Sequence, residues 1–344
     1  MAVRAFITGL AGTTLTSGER AFLHEREPWG FILFSRNVDT PAQLSRLITS
    51  IRDAVGRDAP VLVDQEGGRV QRLAPPHWPP YPPGAAYGRL YDADAAQGMR
   101  AAYLGARLIA ADLTAVGIDV DCLPIADVPA SGADPIIGDR AYGESAQKVA
   151  ILGRAVADGL LAGGVLPVLK HIPGHGRASA DSHRALPVVE TDHATLSKTD
   201  FAAFQALRDL PLGMTAHVVY TAIDPIAPAT TSVTLIRDVI RGGLGFDGLL
   251  MSDDISMGAL SGSIEARARA AIAAGCDVVL HCSGELGEMQ AVASAMPVLT
   301  GKAVARADAA LGRRGQVVKD DVAALRAEWT ALINAGAAAR RAIS

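Results

Sequence analysis

Short apolar runs alternate with longer amphipathic segments from one end of the 344-residue chain to the other. The apolar runs occupy residues 3–9, 29–35, 60–64, 117–124, 164–171, 210–217, 248–254 and 276–282. Between several of them, alanine- and leucine-rich stretches repeat apolar residues at helical spacing, and glycine follows their ends. Nearly continuous apolar strands that alternate with helices predict a parallel sheet covered by helices. Eight such units favour a closed (β/α)8 barrel of the TIM type over an open doubly wound sheet, both being α/β folds.

The organisation along the chain indicates a single barrel domain over residues 1–344, because no shift in composition marks a linker. The proline-rich segment 74–84 is too short for a linker and is expected to form a rigid loop after the third strand. Near the C-terminus, an amphipathic pattern predicts a terminal helix that docks on the barrel. The predicted limits are about 3–300 for the barrel and about 319–343 for this helical extension.

Charge and cysteine content narrow the class of protein. The formal net charge of −4 gives no general attraction to nucleic acid or to anionic membranes. The first residues predict a strand rather than a signal peptide, and no apolar run approaches a membrane-spanning length. The three cysteines lack metal-ligand spacing and are expected to be buried free thiols of a reducing compartment. We therefore expect a cytoplasmic, monomeric protein that binds neither nucleic acid nor membrane.

Polar side chains lie at the ends of most of the predicted strands, which is the edge where barrel active sites form. They are Asp64 with Glu66, Asp121, Lys170 with His171, His217, Asp253 with Asp254, and His281. Any one of them could cap a strand or tie down a loop. So many unpaired charges at one rim would be costly to desolvate, so a pocket for a polar substrate is the simpler hypothesis.

Two glycine-flanked motifs contribute possible binding groups. VDQEGGRVQR, at 63–72, places Asp64 at a strand end and Arg72 after a double glycine, and GDRAYG, at 138–143, contains Arg140. The glycines are weak evidence for phosphate binding, because neither GxGxxG nor a Lys-Ser/Thr pair is present. Asp64 and Arg72 could form a structural ion pair, and Arg140 could belong to a surface loop. The same groups are also the usual hydrogen-bonding partners of sugar hydroxyls.

The motif LLMSDDISM, at 249–257, closes an apolar strand with two adjacent aspartates. A helix N-cap is the structural alternative, because aspartate is a favoured cap residue. One aspartate can cap while the other faces the barrel axis. A carboxylate that points into the pocket is a candidate nucleophile or electrostatic stabiliser.

The segment 170–187 contains three histidines, His171, His175 and His183. His171 and His175 would share a face only on a helix, which the intervening proline and glycines prevent. No HExxH sequence is present, so a metal site is disfavoured and no metal or organic cofactor is expected. The ring of His175 is expected to hydrogen-bond to loop backbone.

Asp181 and His183 differ from the other polar residues of this segment because they can form a catalytic pair. If ADSH is extended, residues two apart project to the same side. Asp181 can then accept a hydrogen bond from one imidazole nitrogen of His183 and leave the other free to exchange protons. The preceding glycine- and alanine-rich stretch would let this acid/base move over a bound substrate.

Taken together, the motifs VDQEGGRVQR, GDRAYG, KHIPGHG, DSH and SDD resemble those of family 3 glycoside hydrolases in order and spacing, over residues 6–282. The similarity is to the bacterial β-N-acetylhexosaminidase branch. It implies a retaining exo-hydrolase that removes terminal β-linked N-acetylglucosamine, notably from 1,6-anhydro-muropeptides during peptidoglycan recycling. The implied partner is thus a small saccharide.

The resemblance also implies a role for individual residues. Asp253, the first acidic residue after the strand-end serine, would be the nucleophile, and His183, oriented by Asp181, the acid/base. The sugar would be held by Asp64, Arg72, Arg140, Lys170 and His171. Larger family members often take the acid/base carboxylate from a second α/β domain. We expect no such second domain in this chain, so the DSH loop would have to supply the proton.

One geometric difficulty and three alternatives remain. Adjacent Lys170 and His171 should point to opposite faces of a strand, so both can reach the sugar only if the strand ends between them. Phosphorolysis on the same fold is the main alternative, because a histidine repels an incoming phosphate less than a carboxylate would. A barrel metallohydrolase is a second alternative, and a catalytically silent sugar-binding barrel is a third, which the intact DSH and SDD motifs disfavour.

Overall fold

Eight parallel strands close a barrel in the computed structural model, which describes the backbone of residues 2–341 and the side chains of residues 2–336. The barrel strands are β1 (Arg4–Thr8), β2 (Pro28–Leu33), β3 (Val61–Val63), β4 (Val120–Asp121), β5 (Leu166–Ile172), β6 (Leu212–Thr215), β7 (Leu249–Asp254) and β8 (Val278–His281). Each strand overlaps one predicted apolar run and pairs with its neighbour in chain order, and β8 closes on β1. The predicted (β/α)8 barrel is confirmed.

Helices cover the outside of the barrel. They are α1 (Ser17–Arg26), α2 (Pro41–Val55), α3 (Gly84–Ala93), α4 (Ala95–Thr114), α5 (Ala146–Ala162), α6 (His193–Lys198), α7 (Asp200–Ala206), α8 (Ile264–Ala274), α9 (Leu286–Ala295), α10 (Gly301–Leu311) and α11 (Val322–Arg341). A π-helical segment, Leu235–Gly243, precedes β7. Among the described helices, none is both long enough and apolar enough to cross a membrane.

Local sequence explains where several helices begin and end. Thr16 caps α1 in a capping box with Glu19, and Thr40 caps α2 just before a proline at its first position. Gly56 ends α2 with φ of 67°, a left-handed conformation that glycine adopts without a steric penalty. These signals fix the ends of α1 and α2, which connect successive parallel strands of the barrel.

Two apolar clusters form the core on either side of the barrel wall. One fills the interior with residues such as Ile7, Ile32 and Met251, and the other packs alternate strand residues such as Phe6 and Phe31 against the helices. This alternation along each strand leaves both faces of the sheet buried, as a parallel barrel requires. All three cysteines are free and buried within these clusters, as the sequence predicts.

The C-terminal helix α11 packs against α4 and α3. Trp329 is buried there, with its ring 5.6 Å from that of Tyr81, which belongs to the proline-rich loop after β3. The predicted helix limits of 319–343 differ from the observed Val322–Arg341 by three residues at the start, and residues 342 and 343 lie outside the described chain. The assignment of all 344 residues to one domain stays a prediction.

Candidate active site

A cavity of about 430 Å³ opens at the C-terminal ends of the barrel strands. Its lining includes seven of the eight predicted site residues: Asp64, Arg72, Arg140, Lys170, His171, His183 and Asp253. The eighth, Asp181, hydrogen-bonds to His183. A wider depression of about 590 Å³ lies at the opposite end, where β6 and β7 begin, and none of the predicted residues lines it. The structure therefore brings the predicted residues together at the face where barrel chemistry occurs.

Two carboxylates and three cations form one connected array on the β3 side of the cavity. Lys170 Nζ lies 2.8 Å from Asp64 Oδ1 and 2.7 Å from Glu66 Oε1. Arg72 Nη2 donates to Asp64 Oδ2 over 3.2 Å, and the Arg140 guanidinium binds both oxygens of Glu66 at 2.8 Å. Glu66 was not among the predicted sugar-binding residues, although it lies only two residues after Asp64. Its buried carboxylate joins the two basic residues that come from β5 and from the loop after β4.

A tight turn after β3 brings Arg72 back beside Asp64. Two short strands, Gln65–Gly67 and Val70–Gln71, pair antiparallel around Gly67 and Gly68, whose φ values are 91° and 57°. A Cβ on Gly67 would lie 2.4 Å from the Pro82 carbonyl oxygen, so the turn fits beneath the proline-rich loop only with glycine there. The double glycine thus shapes a hairpin rather than a phosphate cradle.

The charges of this array stay fixed near neutral pH. Burial alone would raise the pKa of Asp64, but Lys170 and Arg72 outweigh it and hold the pKa well below its ordinary value. Burial likewise acts to raise the pKa of Glu66, and Lys170 and Arg140 lower it overall. Burial would lower the pKa of Lys170, but the two carboxylates raise it above its ordinary value. Ionised donors and acceptors at set positions suit the hydroxyl groups of a sugar.

Three polar residues at strand ends do not line the cavity, contrary to the expectation that strand-end polar groups form the pocket. Asp121 accepts a hydrogen bond from the Gln65 backbone over 3.0 Å, and burial raises its pKa well above the ordinary value. His217 lies 2.7 Å from Thr230 Oγ1 and 2.9 Å from the Asp254 carbonyl, and His281 lies 3.1 Å from Glu288. These side chains hold loops beneath or beside the cavity.

Lys170 and His171 both line the cavity, but not for the reason expected. The condition given for this, that the strand ends between them, is not met, because β5 continues to Ile172. Instead, the register between β5 and β6 shifts between Leu169 and Ile172, which interrupts the regular alternation of side chains. Both residues can then face the same space.

The orientation of His171 depends on a residue that the sequence analysis missed. His171 Nδ1 lies 2.7 Å from Asp127 Oδ2, and Asp127 is fully buried. Burial acts to raise the pKa of Asp127, but His171 outweighs it and the pKa is lowered overall. A carboxylate on Nδ1 fixes the imidazole and leaves Nε2 for a ligand in the cavity.

The two aspartates at the end of β7 are structurally distinct. Asp254 is used by the following loop, since it accepts hydrogen bonds from Ser256 N and Oγ at 3.0 and 2.5 Å and from Cys282 N at 3.1 Å. Asp253 Oδ1 accepts one bond, from the Asp254 backbone at 2.8 Å. Burial acts to raise the pKa of Asp253, but His217 and His171 lower it overall. Among the described residues, no hydrogen bond reaches its other oxygen, and an ionised carboxylate of this kind in the cavity is the chemistry that a nucleophile needs.

Asp181 and His183 form the predicted pair, but within a turn instead of an extended segment. Asp181 Oδ1 accepts from the His183 backbone N–H at 2.9 Å and lies 2.8 Å from His183 Nδ1. The Asp181 carbonyl also accepts from Arg184 N at 2.9 Å, which closes the turn. An aspartate side chain that bonds the backbone two residues on is typical of such turns. The result for the imidazole is the expected one, because Nε2 is left free toward the cavity.

The prediction for His175 is wrong for its ring. His175 Nε2 lies 3.1 Å from the side-chain hydroxyl of Ser182, not against loop backbone, while its backbone N–H donates to Asp127 Oδ1. His175 therefore contacts the turn that carries His183. Within the described part of the chain, no group of three His, Cys, Asp or Glu side chains is arranged to hold a metal ion.

Replacing Arg72 with alanine tests whether the Asp64 pair binds substrate or stabilises the fold. Leaving a buried partner of a hydrogen bond unsatisfied typically costs about 1–3 kcal/mol, and more when it is charged. We expect kcat/KM to fall by at least about tenfold while the thermal unfolding midpoint changes little. Arg237→Ala, which removes an exposed arginine that pairs with its neighbour Asp238, should match the parent in both assays. A large drop in the unfolding midpoint for Arg72→Ala would show that the pair is structural.

Carboxylates and cations that meet in a cavity at the strand ends are typical of a barrel enzyme with a polar substrate, such as a sugar. Residues 11–313 match the glycosyl hydrolase family 3 N terminal domain, and the chain belongs to this family. The resemblance seen in the five sequence motifs is thereby confirmed.

Relatives and solved structures place the chain within the family. It is 39% identical over 283 residues to a β-hexosaminidase of Bordetella pertussis, covering 81% of this chain and 80% of that one. A β-hexosaminidase of Methylococcus capsulatus is 36% identical over 328 residues, covering 93% and 95%. NagZ from Neisseria gonorrhoeae in complex with N-trifluoroacetyl-D-glucosamine superposes with a TM-score of 0.87 at 29% identity, covering 97% and 98%. The chain is a glycoside hydrolase with β-N-acetylhexosaminidase activity.

Proposed function

We propose that the enzyme removes terminal β-linked N-acetylglucosamine, with retention, from peptidoglycan fragments of the 1,6-anhydro-muropeptide type during cytoplasmic recycling of the cell wall. The observation that carries this proposal is the pairing, in one cavity, of the free Asp253 carboxylate with an imidazole held by Asp181. Support for the sugar comes from the Neisseria gonorrhoeae NagZ structure, which contains an N-acylated glucosamine derivative.

The array around Lys170 would hold the terminal sugar before reaction. Its Asp64 and Glu66 oxygens accept hydrogen bonds from hydroxyls, and its ammonium and guanidinium groups donate them. His171, which also lines the cavity, offers one further contact through Nε2, because its Nδ1 is occupied by Asp127. Several fixed contacts to one ring would orient the anomeric carbon relative to Asp253 and lower the entropic cost of reaction.

The reaction then follows two displacements. In the first, a free oxygen of Asp253 attacks the anomeric carbon and the bond to the leaving oxygen breaks, while His183 Nε2 transfers its proton to that oxygen. In the second, His183 takes a proton from water, which attacks the same carbon and releases Asp253. Two inversions give net retention. Asp181 would keep Nδ1 protonated in both steps and stabilise the imidazolium form.

The substrate assignment is tested by product analysis. We expect rapid release of 4-nitrophenol from its N-acetyl-β-glucosaminide and little from the β-glucoside, and release of N-acetylglucosamine from an anhydro-muropeptide. Proton NMR of the first-formed sugar should show the β-anomer. The reaction is repeated with phosphate, because a histidine acid/base would tolerate a phosphate nucleophile. A sugar 1-phosphate as the main product would replace hydrolysis by phosphorolysis, and inertness toward the muropeptide would remove the proposed substrate.

A further inference from the structure

The turn that carries His183 is held by two separate segments of the chain. Ser182 Oγ lies 3.1 Å from His175 Nε2, and both residues are 3% exposed. The carbonyl oxygens of Ser182 and His183 accept hydrogen bonds from the backbone of Ala259 and Gly258, at 3.1 and 3.3 Å. Three contacts thus converge on two consecutive residues of the turn.

The segment that supplies Gly258 and Ala259 is the loop directly after the nucleophile strand, residues 255–260. Its start is fixed by Asp254, which binds the Ser256 backbone and hydroxyl. Its middle is fixed by Arg267 of α8, which donates to the carbonyls of Ile255 and Met257 at 3.0 and 3.2 Å. The loop is therefore anchored to the barrel within a few residues of Asp253.

The His183 imidazole itself has little other support. Its side chain is 63% exposed, and within the described chain the hydrogen-bonding partner of its ring is Asp181, which belongs to the same turn. The ring consequently follows the turn as a unit. The position of the turn therefore determines the position of the imidazole relative to Asp253.

The docking contact requires a glycine at position 258. A Cβ added to Gly258 would lie 2.9 Å from the His183 carbonyl oxygen and 3.2 Å from that of Arg184, and both are backbone atoms that cannot move alone. The backbone of Gly258 is not in the left-handed region, so alanine would be acceptable there apart from this approach. A substitution at 258 therefore probes the docking distance and little else.

We propose that Gly258, Ser182 and His175 are positioning residues, and that together they dock the acid/base turn onto the loop of the nucleophile. The inference rests on the proposed role of His183 as the acid/base. It adds that a direct backbone contact between the two loops sets the distance between the two catalytic groups. The hydrogen bond of buried His175 to Ser182 stabilises this contact. His175 also lines the cavity, and the role proposed for it here is exerted through the Ser182 hydroxyl, which lies 3.1 Å from its Nε2.

Gly258→Ala is the first test, because it should displace the turn and leave Asp253 in place. A displacement of this kind can lower a rate by up to about a hundredfold. We expect kcat/KM for a substrate with a sugar leaving group to fall by about 10–100-fold. With the 2,4-dinitrophenyl glycoside, whose leaving group needs no proton, kcat/KM should fall less than about threefold. Gly12→Ala, in a loop with no atom within 4 Å of the added Cβ, is the matched control and should behave as the parent.

The buried hydrogen bond provides a second test that does not depend on how Gly258→Ala folds. Ser182→Ala removes only the hydroxyl and should lower kcat/KM for the sugar leaving group by about three- to tenfold. His175→Gln can keep an amide near the position of Nε2, whereas His175→Asn places it near Nδ1. We expect His175→Gln to retain more activity on the unactivated substrate than His175→Asn, with similar values on the dinitrophenyl substrate.

Limited proteolysis reports the docking independently of the chemistry. Arg184 is 88% exposed at the end of the turn, so trypsin should cleave after it faster once the turn is undocked. The rate is compared with that of cleavage after Arg237, which is also exposed and belongs to the π-helical segment before β7. A selective increase at Arg184 in Gly258→Ala and Ser182→Ala supports docking, and a parallel increase at both sites would show general destabilisation and overturn it.

The outcomes separate this inference from the proposed function. If His183→Ala shows no difference between activated and unactivated substrates, the acid/base assignment fails and the docking proposal fails with it. If His183→Ala shows that difference but Gly258→Ala and Ser182→Ala match the parent on both substrates, the function stands and the docking proposal is wrong. Equal losses on both substrates in these variants would likewise refute it, since they would indicate displacement of Asp253.

Discussion

Replacing Asp253 with alanine should reduce the turnover of every glycoside by at least about 10⁴-fold, whatever the leaving group, because no covalent intermediate can form. One oxygen of the carboxylate accepts a hydrogen bond from the Asp254 backbone, and no described residue bonds the other; the pKa is held below the ordinary value by His217 and His171. Activated substrates should not escape this loss, since the attack on the anomeric carbon precedes or accompanies departure of any leaving group. Turnover by single-substrate kinetics on the dinitrophenyl glycoside measures the effect.

Covalent labelling tests the same assignment in the parent enzyme. A 5-fluoro glycosyl fluoride should trap the glycosyl-enzyme, and peptide mass spectrometry should locate the label on Asp253. Asp254→Asn is the matched control. The substitution weakens the hydrogen bonds to Ser256 and Cys282, so the variant should be less stable but should still be labelled at Asp253. A label on Asp254, or direct detection of an oxazoline intermediate, would contradict the assignment or the mechanism.

The barrel was predictable because its signal is local. Most strands begin as nearly continuous apolar runs, since both faces of a parallel sheet are buried, and helical patterns separate several of these runs. Phe6 packs toward the helices and Ile7 packs into the barrel, and both are apolar. The strand could therefore be predicted without knowing which face each side chain occupies. The strand-end rule then located the active face without any knowledge of contacts.

Which strand-end residues enter the cavity was less predictable, because the alternation of side chains fails where the site forms. The register of β5 shifts between Leu169 and Ile172, and that of β7 with β8 shifts between Met251 and Asp254. Counting residues in such segments does not tell which side chain faces the axis. The position of His217 and His281 at strand ends also did not indicate what their rings bond, because their partners, Thr230, Asp254 and Glu288, come from other segments.

The residues that the sequence analysis missed act through contacts distant in the chain. Asp127 orients His171 across 44 residues, and Glu66 joins Arg140 across 74. Neither contact follows from periodicity or from spacing within one motif. Asp127 does follow a short apolar stretch after β4, and Glu66 lies inside the VDQEGG motif. The search for polar groups at strand ends did include Glu66, whereas Asp127 lies three residues beyond the predicted run 117–124. Only the fold pairs either carboxylate with its partner.

Replacing His183 with alanine should separate the two chemical steps. General acid–base catalysis typically contributes about 10²–10⁴-fold, and a sugar leaving group needs the proton. We therefore expect a loss of that size in kcat/KM for a sugar leaving group. A dinitrophenolate leaves unaided, so glycosylation from the activated glycoside should be spared. Activation of water in the second step still needs a base, and the glycosyl-enzyme should accumulate, with a burst of released phenolate.

Azide should restore turnover in His183→Ala, because it attacks the glycosyl-enzyme without a base, and the product should be the β-glycosyl azide. Asp181→Asn should show a milder form of the same pattern, since it weakens the bond to His183 Nδ1 without removing the imidazole. His24→Ala, at an exposed histidine of α1, controls for the loss of a histidine as such. The exposed position of His183 on a docked turn, with a single carboxylate partner, means that its removal should cost chemistry and little stability. Equal losses on both substrates, with no burst and no azide product, would show that the proton comes from another group.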